Sequence, residues 1–280
     1  AALPGRRAVV FTNNDSAYLT ALDLHAAGVA VQAVVDLRPV PDGELPRRVR
    51  NAGIEILPGH AIVATEGRAR LNRVKVMRLS EDGAAVQAGM ETLIECDLLA
   101  VSGGWNPAVH LFSHSRGKLA FDPVEATFVP GRSFQAERSA GACNGSFALA
   151  DCLAEGARAG AEAARATGFD AHEGTIPQGV QPLFSPPRPL WLIPSDKPAG
   201  KVKAFVDLQN DVTAKDLKLA LREGFRSVEH VKRYTTTGMG TDQGKIGNVN
   251  ALGIVAGTLG VEIPEIGVTT FRPPYTPVTF

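Results

Sequence analysis

The feature that most constrains the fold is a pair of short apolar runs, 8–11 (AVVF) and 29–37 (VAVQAVVDL), separated by a segment of helical spacing. Within 16–27, Ala17, Leu19, Ala21, Leu22 and Leu24 concentrate apolar surface, and Gly28 ends the helix. Strand, helix and strand within ~30 residues make a βαβ unit, with parallel strands and a right-handed crossover. Such a unit binds a dinucleotide when its first turn reads Gly-x-Gly-x-x-Gly, because the glycines let a pyrophosphate reach the helix N-terminus. Here the turn is Thr12-Asn13-Asn14-Asp15-Ser16-Ala17, and only Ala17 is tolerable at a glycine position. Side chains at Thr12 and Asn14 take up the phosphates' space, and Asp15 repels them. Asp36 stands where a ribose-binding carboxylate would sit. Without the phosphate cradle it reads as the start of a turn before Arg38-Pro39. The expectation is a retained fold that has lost nucleotide binding.

The global charge excludes some partners. Lys plus Arg and Asp plus Glu both number 29, so no net field favours nucleic acid or a membrane surface. No apolar run approaches the ~20 residues that span a bilayer, and no leader pattern opens the chain. Three cysteines, Cys96, Cys143 and Cys152, lack metal-like spacing and are expected as free thiols in a reducing compartment, the cytoplasm. His60 has no second ligand at metal spacing and is expected to be structural. Arg70, Arg73, Lys75 and Arg78 alternate with apolar residues, as on the solvated face of a sheet. The chain begins at Ala1 without a Met and stops at Phe280 after a Pro-rich stretch, which suggests an internal piece of a longer polypeptide.

Beyond the first unit, 45–53 (LPRRVRNAG) is helix-like, and 54–67, 70–79 and 91–104 carry strand-like runs. The stretch 97–107 (DLLAVSGGWNP) reads as a buried strand entering a Gly103-Gly104 turn. The stretch 139–164 passes from a small-residue turn into a long Ala-rich helix. Small residues before a helix suit close approach by a phosphate, and they equally suit close helix–sheet packing. This order resembles the two-dinucleotide-domain disulfide reductases, in which the second domain is inserted within the first. That resemblance implies an α/β fold. Residues 1–95 would be the inserted, degenerate nucleotide-binding-like domain, and 96–170 the returning half of a partial first domain whose Gly-rich loop lies upstream. An incomplete NAD site would then draw on Gly103, Gly104, Ala142, Asn144, Gly145 and Phe147. The family's usual Gly-Asp at the flavin contact is replaced by Gly141-Ala142.

Residues 171–200, rich in proline from Pro177 to Pro198, read as a linker. Its PLWLIP stretch is apolar enough to be pinned to a domain face. Residues 201–280 then read as a small helical module. Thr213 with Asp216 forms a capping box, Leu217 and Leu221 continue an apolar face, and Ser227 is a second N-cap. A third helix is expected over 243–259, with Ile246, Val249, Val255 and Leu259 inward. This pattern resembles the [2Fe-2S] module of bacterioferritin-associated ferredoxin. Its cysteine positions fall on Asp207, Gln209, Asp242 and Gly247, so no thiolate is available and no Fe–S cluster is expected.

The phrases SGGWNPAVHLF, SRGKLAFDP, REGFRSVEHVKRYTTTGM and TTFRPPYTPVTF further resemble the alpha subunits of heterotetrameric sarcosine oxidase. That resemblance implies oxidative demethylation of sarcosine to glycine with peroxide formation, the one-carbon unit passing to tetrahydrofolate. It implies beta, gamma and delta partner subunits, FAD in the beta subunit, FMN at the alpha–beta interface, and NAD in the alpha subunit. An aminomethyltransferase-like domain would follow residue 280. On this chain the alpha side of the FMN site would fall on Thr235, Thr236, Thr237, Gly238, Thr241 and Lys245. Hydroxyl and N–H donors with a cation suit a flavin phosphate or its N1/O2 edge, and they equally suit a helix cap beside a solvated lysine. No catalytic dyad is expected within these residues, and the piece alone is expected to be inactive and open to self-association. Two other classes remain: an NAD(P)H-dependent flavin oxidoreductase, and a non-catalytic scaffold subunit of another amine or proline dehydrogenase.

Overall fold

A computed structural model describes residues 4–172, 174–176, 178–179, 185–198, 201–273 and 275–276. They fall into two compact units, 1–105 with 183–204, and 106–182 with 205–280.

In the first unit, β1 (Arg7–Thr12), α1 (Ser16–Ala26), β2 (Ala30–Asp36), α2 (Glu44–Asn51) and β3 (Ile56–Pro58) follow in order. A three-stranded antiparallel meander, β4 (His60–Gly67), β5 (Leu71–Leu79) and β6 (Val86–Glu95), precedes β7 (Leu98–Ser102). The four remaining strands form a parallel sheet in the order β3-β2-β1-β7. Alternation along the strands explains its two covered faces. Val10 and Val34 pack with Ala17, Tyr18 and Ala21 of α1 and Val49 of α2. Val9 and Val35 point the other way, into Ile62, Val74 and Val76 of the meander. Pro46 falls in the first turn of α2, where its missing N–H costs no helical hydrogen bond. On β5, Arg73 and Arg78 are exposed while Val74, Val76 and Met77 are buried, but Lys75 departs from the expected solvated face: it is largely covered and pairs with Glu91 and Asp196.

The second unit contains α3 (His110–His114), a hairpin of β8 (Lys118–Asp122) and β9 (Thr127–Arg132), a 3-10 turn (Gly141–Asn144) and α4 (Leu149–Ala166). A two-stranded hairpin follows, β10 (Phe205–Asp207) and β11 (Val212–Thr213), then α5 (Ala214–Arg222), α6 (Val228–Thr235), α7 (Asn248–Leu259) and α8 (Ile263–Ile266). Leu217, Val231 and Val255 are fully buried here. The Thr213 N–H donates to Asp216 Oδ2 at 2.8 Å, so the capping box forms, and Ser227 is the N-cap of α6.

Three expectations need correction. The boundary drawn after residue 95 is overrun, because β7 hydrogen-bonds to β1 and the first unit continues to Trp105. Within the expected linker 171–200, residues 185–198 belong with that unit. The third helix starts at Asn248 and not near Gln243, and Ile246 is 77% exposed rather than inward, because Gly244 and Gly247 hold the preceding residues in turns.

Candidate cofactor-flanking sites

Three places in the chain carry the residues expected to flank a cofactor. In each, these residues or their neighbours bond to other side chains of the same unit.

The first lies at the carboxyl ends of β1, β2 and β7, where open α/β sheets bind ligands. Thr12, Asn13, Asn14 and Asp15 are all buried, as are Asp36 and Arg38. The Arg38 guanidinium ion-pairs with Asp15 and with Asp36, each at 2.7 Å, and its side chain is only 8% exposed. The Tyr18 hydroxyl donates to Asp36 Oδ2 at 2.8 Å. Burial, followed by the charge of Asp36, pushes the Tyr18 phenol well above its usual range. Burial alone would weaken the Arg38 charge, but its bonds to Asp36 and Asp15 outweigh that and keep it protonated. Asp36 therefore serves an internal cation instead of a ribose.

A strap of the same unit lies over this end of the sheet. The Ser185 N–H donates to Asp15 Oδ2 at 2.6 Å. Arg188 and Asn13 exchange bonds, from Arg188 N to Asn13 O at 3.0 Å and from Asn13 Nδ2 to Arg188 O at 3.2 Å. The Arg188 guanidinium donates to Leu37 O at 2.8 Å and to Glu81 O at 2.6 Å. Leu190 and Ile193 pack against Leu37, Ala61 and Leu79, and Asp196 pairs with Lys75 at 2.8 Å. The expected pinning of PLWLIP to a domain face is what these contacts show. Gly103 and Gly104 are exposed beside this turn; a Cβ on Gly104 would lie 3.9 Å from Asn13 Oδ1.

Ala142, Asn144, Gly145 and Phe147 lie in the other unit, so the NAD set is not gathered within one compact body. The 3-10 turn that carries the first two is capped by Glu155 of α4. Gly141 N donates to Glu155 Oε2 at 2.8 Å, Asn144 Nδ2 to the same oxygen at 3.3 Å, and Ser146 Oγ to Glu155 Oε1. Burial acts to raise the Glu155 pKa, but these donors outweigh it and hold the carboxyl below its usual range. An internal carboxylate thus takes the donors that a phosphate would use.

The third place joins β10–β11 to the loop between α6 and α7. Asp207 is buried and accepts from Gly238 N at 2.8 Å, Gln209 N at 2.8 Å and Asn210 N at 3.0 Å. Burial raises its pKa, but the backbone donors prevail and leave the carboxyl ionised below its ordinary range. Gln209 Oε1 accepts from Asp242 N at 2.9 Å. A Cβ on Gly247 would lie 2.5 Å from Val206 O, so this glycine packs directly on the hairpin. Asp207, Gln209, Asp242 and Gly247 therefore lie close together, joined by hydrogen bonds and packing. Asn248 stitches the loop from within. Cβ atoms on Gly238 or Gly244 would meet its Oδ1 at 2.3 and 2.0 Å, and both glycines have positive φ.

The flavin-side candidates divide into an inner and an outer set. Thr235 Oγ1 and Thr237 Oγ1 are 2.8 Å apart, Thr235 also donates to Val231 O at 2.8 Å, and Thr237 and Gly238 are buried. These cap α6 and hold the loop. Thr236, Thr241 and Lys245 are exposed. Thr241 Oγ1 accepts from Gln209 Nε2, which leaves its own proton for an outside acceptor. Lys245 Nζ donates to Tyr275 O at 2.8 Å and lies 4.1 Å from the Tyr275 ring centroid. Among the described residues, no group of three or more His, Cys, Asp or Glu is placed to hold a metal ion.

Sequence reasoning did not single out Arg188, Glu155 or Asn248. Glu155 left a faint signal as an acid on an Ala-rich helix just after the small-residue turn. The other two act through tertiary contacts with no local pattern.

Residues 201–280 match the family model described as the sarcosine oxidase A3 domain. The chain is 43% identical over 282 residues to the sarcosine oxidase subunit alpha of Corynebacterium sp. (strain P-1), covering 99% of this chain and 28% of that protein. It is 40% identical over 284 residues to the subunit of the same name from Rhizobium meliloti (strain 1021), covering 99% of this chain and 26% of that protein. The chain thus spans little more than a quarter of the length of these relatives. Among solved structures, L-proline dehydrogenase from P. horikoshii shares the fold, with a TM-score of 0.61 and 20% identity over 99% of this chain and 49% of that one.

Proposed function

We propose that these residues form a structural, cofactor-flanking part of the alpha subunit of a multi-subunit sarcosine oxidase. The observation that carries the reading is similarity along 99% of the chain to proteins named as that subunit. The whole enzyme would demethylate sarcosine to glycine, form peroxide and pass the one-carbon unit to tetrahydrofolate, with beta, gamma and delta subunits and in the cytoplasm. Substrate chemistry would lie outside this chain.

NAD does not fit the cradle of the first unit. Its phosphate positions hold the Asp15–Arg38–Asp36 network, and the strap occupies the crevice above. The Glu155 cap uses the donors of the second turn. A free-standing NAD(P)H-dependent flavin oxidoreductase needs such a cradle open, so the subunit reading is preferred.

The loop 235–245 fits the edge of a flavin as a wall. Its inner threonines and Asn248 hold the shape, while the Thr241 hydroxyl faces outward and the exposed Lys245 ammonium is held on the Tyr275 carbonyl and ring. A flavin there, proposed as FMN shared with the beta subunit, would supply electron transfer to oxygen. Thr241 and Lys245 would orient and neutralise its anionic groups. No Fe–S cluster is proposed, because Asp207 and Gln209 already bind the backbone at two of the ligand positions.

Co-expression of the whole alpha subunit containing these residues with its partners tests the reading. The expected result is a stable complex producing sarcosine-dependent peroxide, with activity lowered by Thr241→Val and Lys245→Met. An assembled complex that oxidises sarcosine equally well with both substitutions would remove the flavin-wall role.

A further inference from the structure

The second unit surrounds Lys245, a residue of the proposed flavin wall, with aromatic and histidine rings that the wall itself does not use, and their role rests on that reading. The ring of His110, on α3, stacks on Tyr275 with centroids 3.9 Å apart and planes inclined by 14°. Lys245 Nζ lies over the same tyrosine ring and donates to its carbonyl. His114, one turn along α3, shares a 3.2 Å hydrogen bond with Phe271 O, and Phe271 packs edge-on against Tyr275 at 5.4 Å. Upstream, Thr270 N donates to Glu229 at 2.6 Å and Asn248 Nδ2 to Thr269 Oγ1 at 3.3 Å, so this segment is anchored to α6 and α7. Its far end is held by the two histidines and the lysine.

We propose that α3 with Phe271 and Tyr275 forms a proton-sensitive latch on Lys245, closed while His110 is neutral and opened when its imidazole becomes imidazolium. The geometry disfavours the charged ring. His110 Nδ1 is sealed from solvent and, among the described residues, meets no hydrogen-bond partner, so a proton added there would be a buried donor without an acceptor. The charged groups facing the ring are Lys245 from the loop and, on protonation, His114 from its own helix; both repel an imidazolium. The Tyr275 phenol is neutral, and Asp242 is the carboxylate that acts on it. Burial first, then His114 and Lys245, holds the His110 pKa below its ordinary value. A depressed histidine stabilises the closed state above the ordinary histidine range. That stability fades as pH falls through the window below it. Opening removes the stacked ring and the carbonyl from Lys245, leaving the ammonium free for an anion.

The chain has three tyrosines, so selective 13C-tyrosine labelling of the 280-residue chain gives an assignable spectrum, with Tyr275→Phe identifying the signal. Between pH 8 and pH 5 the Tyr275 resonance should move from a ring-shifted to a solvent-like position, with its midpoint below the ordinary histidine value. His110→Phe, which keeps a stacked ring and cannot titrate, should hold the closed position throughout. His110→Gln serves as the non-titrating variant if the resonance of Tyr234, on α6 of the same unit, shows that His110→Phe is misfolded. A Tyr275 signal that stays fixed over this range, or that moves identically in the non-titrating variant, would overturn the latch.

Discussion

Replacing Arg38 with Met tests whether the nucleotide crevice is neutralised from within. The Arg38 side chain is 8% exposed, and its partners Asp15 and Asp36 are 3% and 0% exposed. Among the described residues, removing the cation leaves two buried carboxylates with hydrogen bonds only from Ser185 N, the Arg38 backbone N–H and Tyr18. Breaking a buried ion pair on one side costs about 3–5 kcal/mol, because a charge is left without its counterion. With a urea dependence of about 2 kcal/mol per M for a unit of this size, the midpoint should fall by roughly 1.5–2.5 M. Both tryptophans, Trp105 and Trp191, lie in the first unit, so fluorescence reports its unfolding. Adding Asp15→Asn and Asp36→Asn should restore most of the loss, since amide oxygens still accept from Ser185 and Tyr18 while no charge remains. A midpoint shift below about 0.5 M for Arg38→Met, or a triple variant less stable than the single one, would refute the network's role.

Other outcomes follow from the remaining cradles. Arg188→Ala removes two charge-assisted bonds to carbonyls, worth about 1.5–3 kcal/mol each before relaxation. It should loosen the strap, seen as a red shift of Trp191 emission and faster proteolysis within 185–198. Asp207→Ala leaves the backbone donors of Gly238, Gln209 and Asn210 without their acceptor and should destabilise the second unit by about 3 kcal/mol, measured by circular dichroism during urea unfolding. Gly244→Ala combines a left-handed φ with a Cβ clash against Asn248 and should cost about 2–4 kcal/mol in the same assay. Glu155 and Asp207 have depressed pKa values, so their stabilisation is complete above the usual carboxylate range and lost as pH falls through it. Acid titration of the second unit should therefore show unfolding that Glu155→Gln makes shallower.

The parts of this fold written in local pattern were legible. The runs 8–11 and 29–37 predicted β1 and β2 within a residue or two, because alternating burial on both sheet faces demands continuous apolar strands. The Thr213–Asp216 box and the Ser227 cap were readable because capping is decided within four residues. The missing phosphate cradle was visible at Thr12–Ala17, but its replacement was not. Arg38 looked like a turn residue, and its pairing with Asp15 and Asp36 emerges only when β1 and β2 align. The strap was read as a linker because proline-rich sequence has no periodicity; it is held by Arg188 to backbone carbonyls, which leave no sequence mark. Helical spacing alone places Ile246 inward, and the turn at Gly244–Gly247 overrides that spacing. The site residues divided the same way. Thr235 and Thr237 proved to be internal caps, whereas Thr241 and Lys245 face outward.

The central claim is that the chain's own side chains and strap fill the crevice a dinucleotide would use. Isothermal titration of the 280-residue chain with NAD tests it most directly. With Arg38, Asp15 and the strap in place, no saturable heat is expected up to millimolar NAD. Stoichiometric binding at micromolar NAD would contradict it.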